Sequence, residues 1–245
     1  MIGIGIQYGQ APGFLPSSLS GMKLWLRADM GVTADGSNRV SAWADQSGNG
    51  NNFTQGGGSS KPLYVASGLN GLPHIDFNQA TSHLAGPALS ALMAASGKTV
   101  VIVYTVDTAS TTGAADAYLG NGVMGQSTEY FGVGVTTSGG SVRVLASTYP
   151  SAWKTAFFSI APAPYSSALF VFHDGVTLGV EDISLVSGSI GAGATGSLTA
   201  TTYLGRNSTP NYFDGKISEV ITYNRQVSGA EYTALRGYIN GRYGF

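Results

Sequence analysis

The chain has 245 residues and a formal net charge of -1. Charged residues make up 10% of it, against about 25% in a typical globular domain, and its 36 glycines are about twice the usual share. This composition excludes a coiled coil, a disordered tail and a basic nucleic-acid-binding surface, and the absence of cysteine excludes disulfides, thiolate zinc sites and thiol nucleophiles.

The opening MIGIGIQYGQ alternates Ile2, Ile4 and Ile6 with Gly3 and Gly5, which predicts a short strand. Pro12, Gly13 and Pro16 then break any regular element. Residues 1–20 are therefore read as an extended N-terminal arm. Two readings stand: an edge strand on its own domain, or a docking arm that extends a neighbour's sheet. Ile2, Ile4, Ile6, Tyr8 and Phe14 are the docking residues in the second reading. No basic stretch leads into an unbroken apolar run, so no signal peptide is expected, and no run reaches the ~18 apolar residues of a membrane span.

From Met22 onward, short strands alternate with turns. MKLWLR and RVSAWAD are strands that carry Trp25 and Trp43 into the core. Gln46 to Asn52 is a dense turn, and LPHIDF is a further strand. Leu89 to Gly97 reads as a short helix. Thr99 to Asp107 is apolar on both faces and predicts a central, fully covered strand. YFGVGV, SVRVLAS, TAFFSIA, TTYLGR and FDGKISEVITYN continue the series. Asp174-Gly175 predicts a tight hairpin between LFVFH and VTLGV. The last element is a helix. Ser228 and Glu231 have capping-box spacing, Tyr232, Leu235, Tyr238 and Ile239 form one apolar face, and Gly244 lies just past the end. The pattern predicts an all-β, two-sheet antiparallel jelly-roll sandwich over 21–245 with one C-terminal α-helix.

Three segments resemble the concanavalin A-like (laminin-G-like) jelly-roll superfamily found in bacterial and phage proteins. They are LWLRADMGVTADGSNRVSAWADQSGNGNNFTQ, GLNGLPHIDF and FDGKISEVITYNRQVSGAEYTALRGYINGRYGF. The resemblance spans nearly all of the chain after residue 20, and its middle matches by strand rhythm alone. Members of this group bind glycans, bind proteins, accompany enzymes or build structure. Glucanases of this shape supply their carboxylates from an E-x-D-x-x-E strand, which this chain lacks. Glu219 is read as a structural hydrogen-bond partner and Glu231 as a cap, so no enzymatic activity is expected. The resemblance also implies a calcium site on the rim, where relatives read F-D-G-x-x-D-x-L. Here Asn78 and Ser82 replace both acids. Asp45, ahead of the turn, is the remaining candidate ligand, with an Asx cap as its other reading. His74, Asp76 and His83 lack a recognised zinc spacing.

A sugar site combines an aromatic platform with amide or carboxylate partners for the hydroxyls. Tyr149 and Trp153 in one loop, and Asn207, Asn211 and Tyr212 in another, have those residue types, with lids over the core as their other reading. The expected function is a non-enzymatic virion structural protein, made in a host cytoplasm and incorporated into a capsid or tail through the N-terminal arm. It is expected to be homo-oligomeric, to contact host-surface glycans, and to need no membrane or nucleic-acid partner. The alternative is a carbohydrate-binding module of a secreted bacterial enzyme or adhesin.

Overall fold

The computed structural model describes residues 13–78, 80–89, 97–107, 116–121, 130–138, 141–149, 154–159, 165–173, 177–182, 188–192, 201–206 and 212–245. Its strands are β1 (Met22–Arg27), β2 (Val32–Ala34), β3 (Val40–Trp43), β4 (Phe53–Thr54), β5 (Leu63–Val65), β6 (His74–Phe77), β7 (Leu84–Gly86), β8 (Lys98–Val106) and β9 (Asp116–Asn121). They continue as β10 (Tyr130–Ser138), β11 (Ser141–Tyr149), β12 (Lys154–Ser159), β13 (Tyr165–His173), β14 (Thr177–Asp182), β15 (Gly188–Ala192), β16 (Thr202–Leu204) and β17 (Gly215–Tyr223). One helix, α1 (Gly229–Tyr243), follows. The Leu89–Gly97 helix predicted above lies largely outside the described residues.

The strands form two antiparallel sheets. One has eight strands in the order β15-β14-β13-β8-β17-β6-β5, with β1 also paired to β17. The other has nine, in the order β12-β11-β10-β9-β16-β7-β4-β3-β2. Strand β8 lies at the centre of the first sheet, with β13 and β17 on either side, and every one of its residues is buried. Val100, Ile102, Tyr104 and Val106 face the core between the sheets, where they meet Leu24, Trp43, Phe53, Phe77 and Leu204. Val101 and Val103 face the opposite side, towards Trp25, Phe170, Ile221 and the helix residues Leu235, Tyr238 and Ile239. The apolar run in β8 thus buries both faces, each aliphatic side chain contributing about 1.5–3 kcal/mol. The outcome is three layers: sheet, sheet, helix.

A register shift in β17 between Ile217 and Glu219 breaks the alternation of side chains. Ile217 and Val220 both join the inter-sheet core, while Glu219, Ile221 and Tyr223 turn towards the helix. Glu219 is wholly buried there. It accepts hydrogen bonds from Trp25 Nε1 at 2.7 Å, Tyr238 Oη at 2.9 Å and Tyr243 Oη at 2.8 Å, and Arg242 Nε lies 3.4 Å away. Burial pushes its carboxyl above the usual range, and these four groups oppose that shift.

The helix begins as its sequence predicts. Ser228 Oγ accepts from Glu231 N at 3.3 Å, and Glu231 Oε2 accepts from Ser228 N at 2.7 Å. Arg225, bonded to both Glu231 oxygens, and the Ser228 N–H hold that carboxyl down at about 2. At the other end Gly244 adopts φ +76°, the left-handed cap that favours glycine. No helix among the described residues is long and apolar enough to cross a membrane.

The segment expected to act as an arm is bound to its own domain from Phe14 onward. Phe14 packs edge-to-face on Tyr238, Pro16 is buried with its carbonyl accepting from Tyr223 Oη, and Leu19 joins the helix-side cluster. Ile2, Ile4, Ile6 and Tyr8 lie outside the described residues.

Candidate functional site

The helix covers the outer side of the eight-stranded sheet, so the outer side of the nine-stranded sheet is the face left open among the described residues. A cluster of aromatic and polar side chains forms there, around β4, β7 and β16. It is built by two turns.

The first turn follows β6. Asn78 Oδ1 accepts the backbone N–H groups of Ala80, Thr81 and Ser82 at 3.1–3.2 Å, and Ser82 Oγ accepts from Asn78 N at 2.6 Å. Asn78 and Ser82 thus close the turn on each other. The turn aims the Thr81 carbonyl at His83 Nδ1, 2.9 Å away. A carbonyl only accepts, so Nδ1 carries the proton and Nε2 is an acceptor. Gln55 Nε2 donates to His83 Nε2 and to the His83 carbonyl, each at 3.1 Å, while Gln55 Oε1 accepts from Gly57 N. Burial pushes the imidazole below its usual range and Arg206 pushes the same way, against the Thr81 bond. His83 is therefore a neutral, oriented ring.

The second turn follows β16. Along Thr202–Leu204 the flanking residues are buried and Tyr203 points outward, beside Ala85 of β7. Gly205 then takes φ +83°, and a Cβ there would lie 2.1 Å from Phe77 Cδ1. Both the backbone angle and the close approach require glycine. Phe213 N donates to Gly205 O at 2.8 Å, and Arg206 pairs with Tyr212 in an antiparallel bridge. The pair sets both side chains on one face. Arg206 Cζ sits 4.0 Å above the centre of the Tyr203 ring. His83 meets Tyr203 at 5.8 Å and 67°, and Tyr212 at 6.1 Å and 49°. All four residues are half-buried.

The result is a cluster of three half-buried rings with a guanidinium and a fixed amide at its margin. Rings offer stacking faces, and the phenols, guanidinium and amide offer hydrogen bonds, which suits a ligand with one apolar face and a polar rim. The described glutamates are engaged elsewhere: Glu219 under the helix, Glu231 at its cap, and Glu181 with Tyr232 and Arg236. No group of three or more His, Cys, Asp or Glu is placed to hold a metal among the described residues.

Of the residues predicted for sugar binding, Tyr212 is in the cluster. Asn207, Asn211 and Trp153 lie outside the described residues. Tyr149 ends β11, and its side chain also lies outside them. Asp45, the candidate calcium ligand, is instead a turn anchor. Its Oδ1 accepts from Trp25 N and Ser47 N, both at 2.9 Å, and its Oδ2 from Ser47 Oγ at 2.7 Å and Asn51 N at 3.0 Å. Four donors occupy the lone pairs that a cation would need. Sequence reasoning missed Gln55, His83, Tyr203 and Arg206 as one site. The available signal was Tyr203, the outward residue of a short strand that ends at a glycine. A second cleft, about 260 Å³, is lined by Ala28 to Val32, Ala34 and Tyr64. Its charged group, Asp29, is held by Arg27 at 2.6 Å and Arg242 at 3.0 Å.

No protein-family model matches the sequence, and no curated protein sequence matches it. Solved structures share the fold. Domain 4 of AbnA, an extracellular arabinanase of Geobacillus stearothermophilus solved with arabinotriose, superposes with a TM-score of 0.61 at 16% identity, over 88% of this chain and 98% of that domain. The binding domain of Paraclostridial Mosquitocidal Protein 1 gives 0.65 at 11% identity, over 92% of this chain and 54% of that one. Trypanosoma rangeli sialidase gives 0.59 at 16% identity, over 91% of this chain and 34% of that one. The chain thus spans a whole arabinanase domain, about half of the toxin binding domain and a third of the sialidase. At these identities the likeness establishes the fold alone, a two-sheet β-sandwich.

Proposed function

We propose that the chain is a non-enzymatic, lectin-like domain of a virion, carried on a capsid or tail, and that it contacts host-surface glycans. The sugar seats on the outer face of the nine-stranded sheet, against Tyr212, His83 and Tyr203, with Gln55 and Arg206 at the rim. The observation that carries this reading is the convergence of three rings and two oriented polar groups on the open face. On a glycan array the wild-type chain retains a defined set of sugars, and Tyr212→Ala loses it at unchanged thermal stability. Equal retention by both proteins contradicts the site.

In the virion part of the proposal, attachment belongs to residues 1–12, since the domain itself engages the chain from Phe14 onward. Incorporation into particles then fails when residues 1–12 are deleted, while the folded domain persists. Normal incorporation of the shortened chain contradicts that attachment.

A second reading, the carbohydrate-binding module of a secreted bacterial enzyme or adhesin, is favoured by the 98% coverage of the arabinanase domain. The array separates the two readings: retention of plant polysaccharides supports the module, and retention of bacterial surface glycans supports the virion protein.

A further inference from the structure

We infer that the cluster selects acidic sugars, with Arg206 receiving the carboxylate of a sialic or uronic acid residue. The inference rests on the sugar-binding reading above and names the ligand class for the same site. Arg27, Arg225, Arg236 and Arg242 each meet a carboxylate at 2.6–3.0 Å. Arg206 does not, among the described residues. It is half-buried, stacked on Tyr203, and its Nε is buried without a hydrogen-bond partner among those residues.

Stacking on a ring holds the guanidinium in place without neutralising it. A partly dehydrated guanidinium that meets no carboxylate among the described residues is a good receptor for a planar anion, which its two terminal N–H₂ groups meet side by side, while the buried Nε takes no part in that contact. The neighbours reinforce that choice. His83 Nδ1–H is spent on Thr81, its Nε2 is spent on Gln55, and Arg206 is the charge that bears on the ring. Tyr203 and Tyr212 bring apolar surface and hydroxyl groups. Among the described residues the patch thus pairs a positive charge that meets no carboxylate with rings that suit a pyranose.

The test is calorimetric titration of the full chain with two matched pairs: sialyllactose against lactose, and trigalacturonic acid against its methyl ester. The expected result is at least about tenfold tighter binding of one or both acids than of the neutral partner, weakening as salt rises from about 50 to 500 mM. The pair that shows the preference identifies the source of the carboxylate. Arg206→Gln is expected to reduce the ratio of acidic to neutral affinity to within about threefold, and Tyr212→Ala to abolish binding of both. Arg206→Lys, which keeps the charge but not the fork, is expected to show a preference between those of the wild type and Arg206→Gln, and serves if the Gln variant does not fold. Neutral and acidic sugars bound alike, or a preference that survives Arg206→Gln, overturns the inference while leaving the sugar site standing. Failure of all four probes to bind at millimolar concentration overturns the inference and the sugar site together.

Discussion

Trp25 Nε1 donates to Glu219 Oε1 at 2.7 Å, which ties the first strand of the sandwich to the last across 194 residues of chain. The same carboxylate receives the hydroxyls of Tyr238 and Tyr243, so it fastens the helix layer to the sheet as well. A wholly buried carboxylate is tolerated because its acceptor positions are filled and Arg242 lies nearby.

Glu219→Gln is expected to lower stability by about 2–4 kcal/mol, because an amide N–H₂ must then face donors. The urea midpoint measures it, and near-ultraviolet dichroism reports loosening of the tyrosines. A cost under about 0.5 kcal/mol would show that the carboxylate does not hold the layers together.

Gly205→Ala is expected to cost about 2–4 kcal/mol, combining a left-handed backbone with overpacking against Phe77. The loss should reach the proposed sugar site too, since Gly205 swings the chain so that Arg206 covers Tyr203. Thermal unfolding and glycan binding are measured together. Unchanged stability contradicts the close approach of Phe77.

Acid should weaken the fold through His74. This residue is 4% exposed, and burial, then the charge of Lys216, push its pKa from 6.5 down to about 4. The unfolded chain takes up the proton first, so stability is full above about pH 6.5 and falls as the pH drops towards 4. The full loss, reached below about pH 4, is on the order of 3 kcal/mol. Urea midpoints between pH 7.5 and 4.5 follow it, and His74→Gln should flatten the slope. An identical slope in that variant would place the effect elsewhere.

Much of the fold is legible in the sequence because it depends on local pattern. The two-faced apolar run of β8, the Ser228–Glu231 cap and the Gly244 stop each lie within a few residues of one another, and all three appear as read. The register shift in β17 is not legible, since a bulge is set by its neighbours in the sheet. It sends Glu219 to the helix side, and only the folded chain reveals its partners.

The candidate site divides in the same way. Tyr212 is visible as an aromatic in a polar loop. His83 is not, because its role depends on Gln55, 28 residues earlier, and on the turn closed by Asn78 and Ser82. Asp45 shows the limit of residue type: an acid ahead of a turn fits either a cation ligand or an Asx cap, and in the folded chain its carboxylate accepts from Trp25 N, Ser47 N, Ser47 Oγ and Asn51 N.

The most direct measurement is backbone amide chemical-shift mapping during titration with the best-bound glycan. The largest shifts are expected at Gln55, His83, Tyr203, Arg206 and Tyr212, saturating together with one dissociation constant. Shifts concentrated instead along the Ala28–Val32 cleft or the helix would contradict the site.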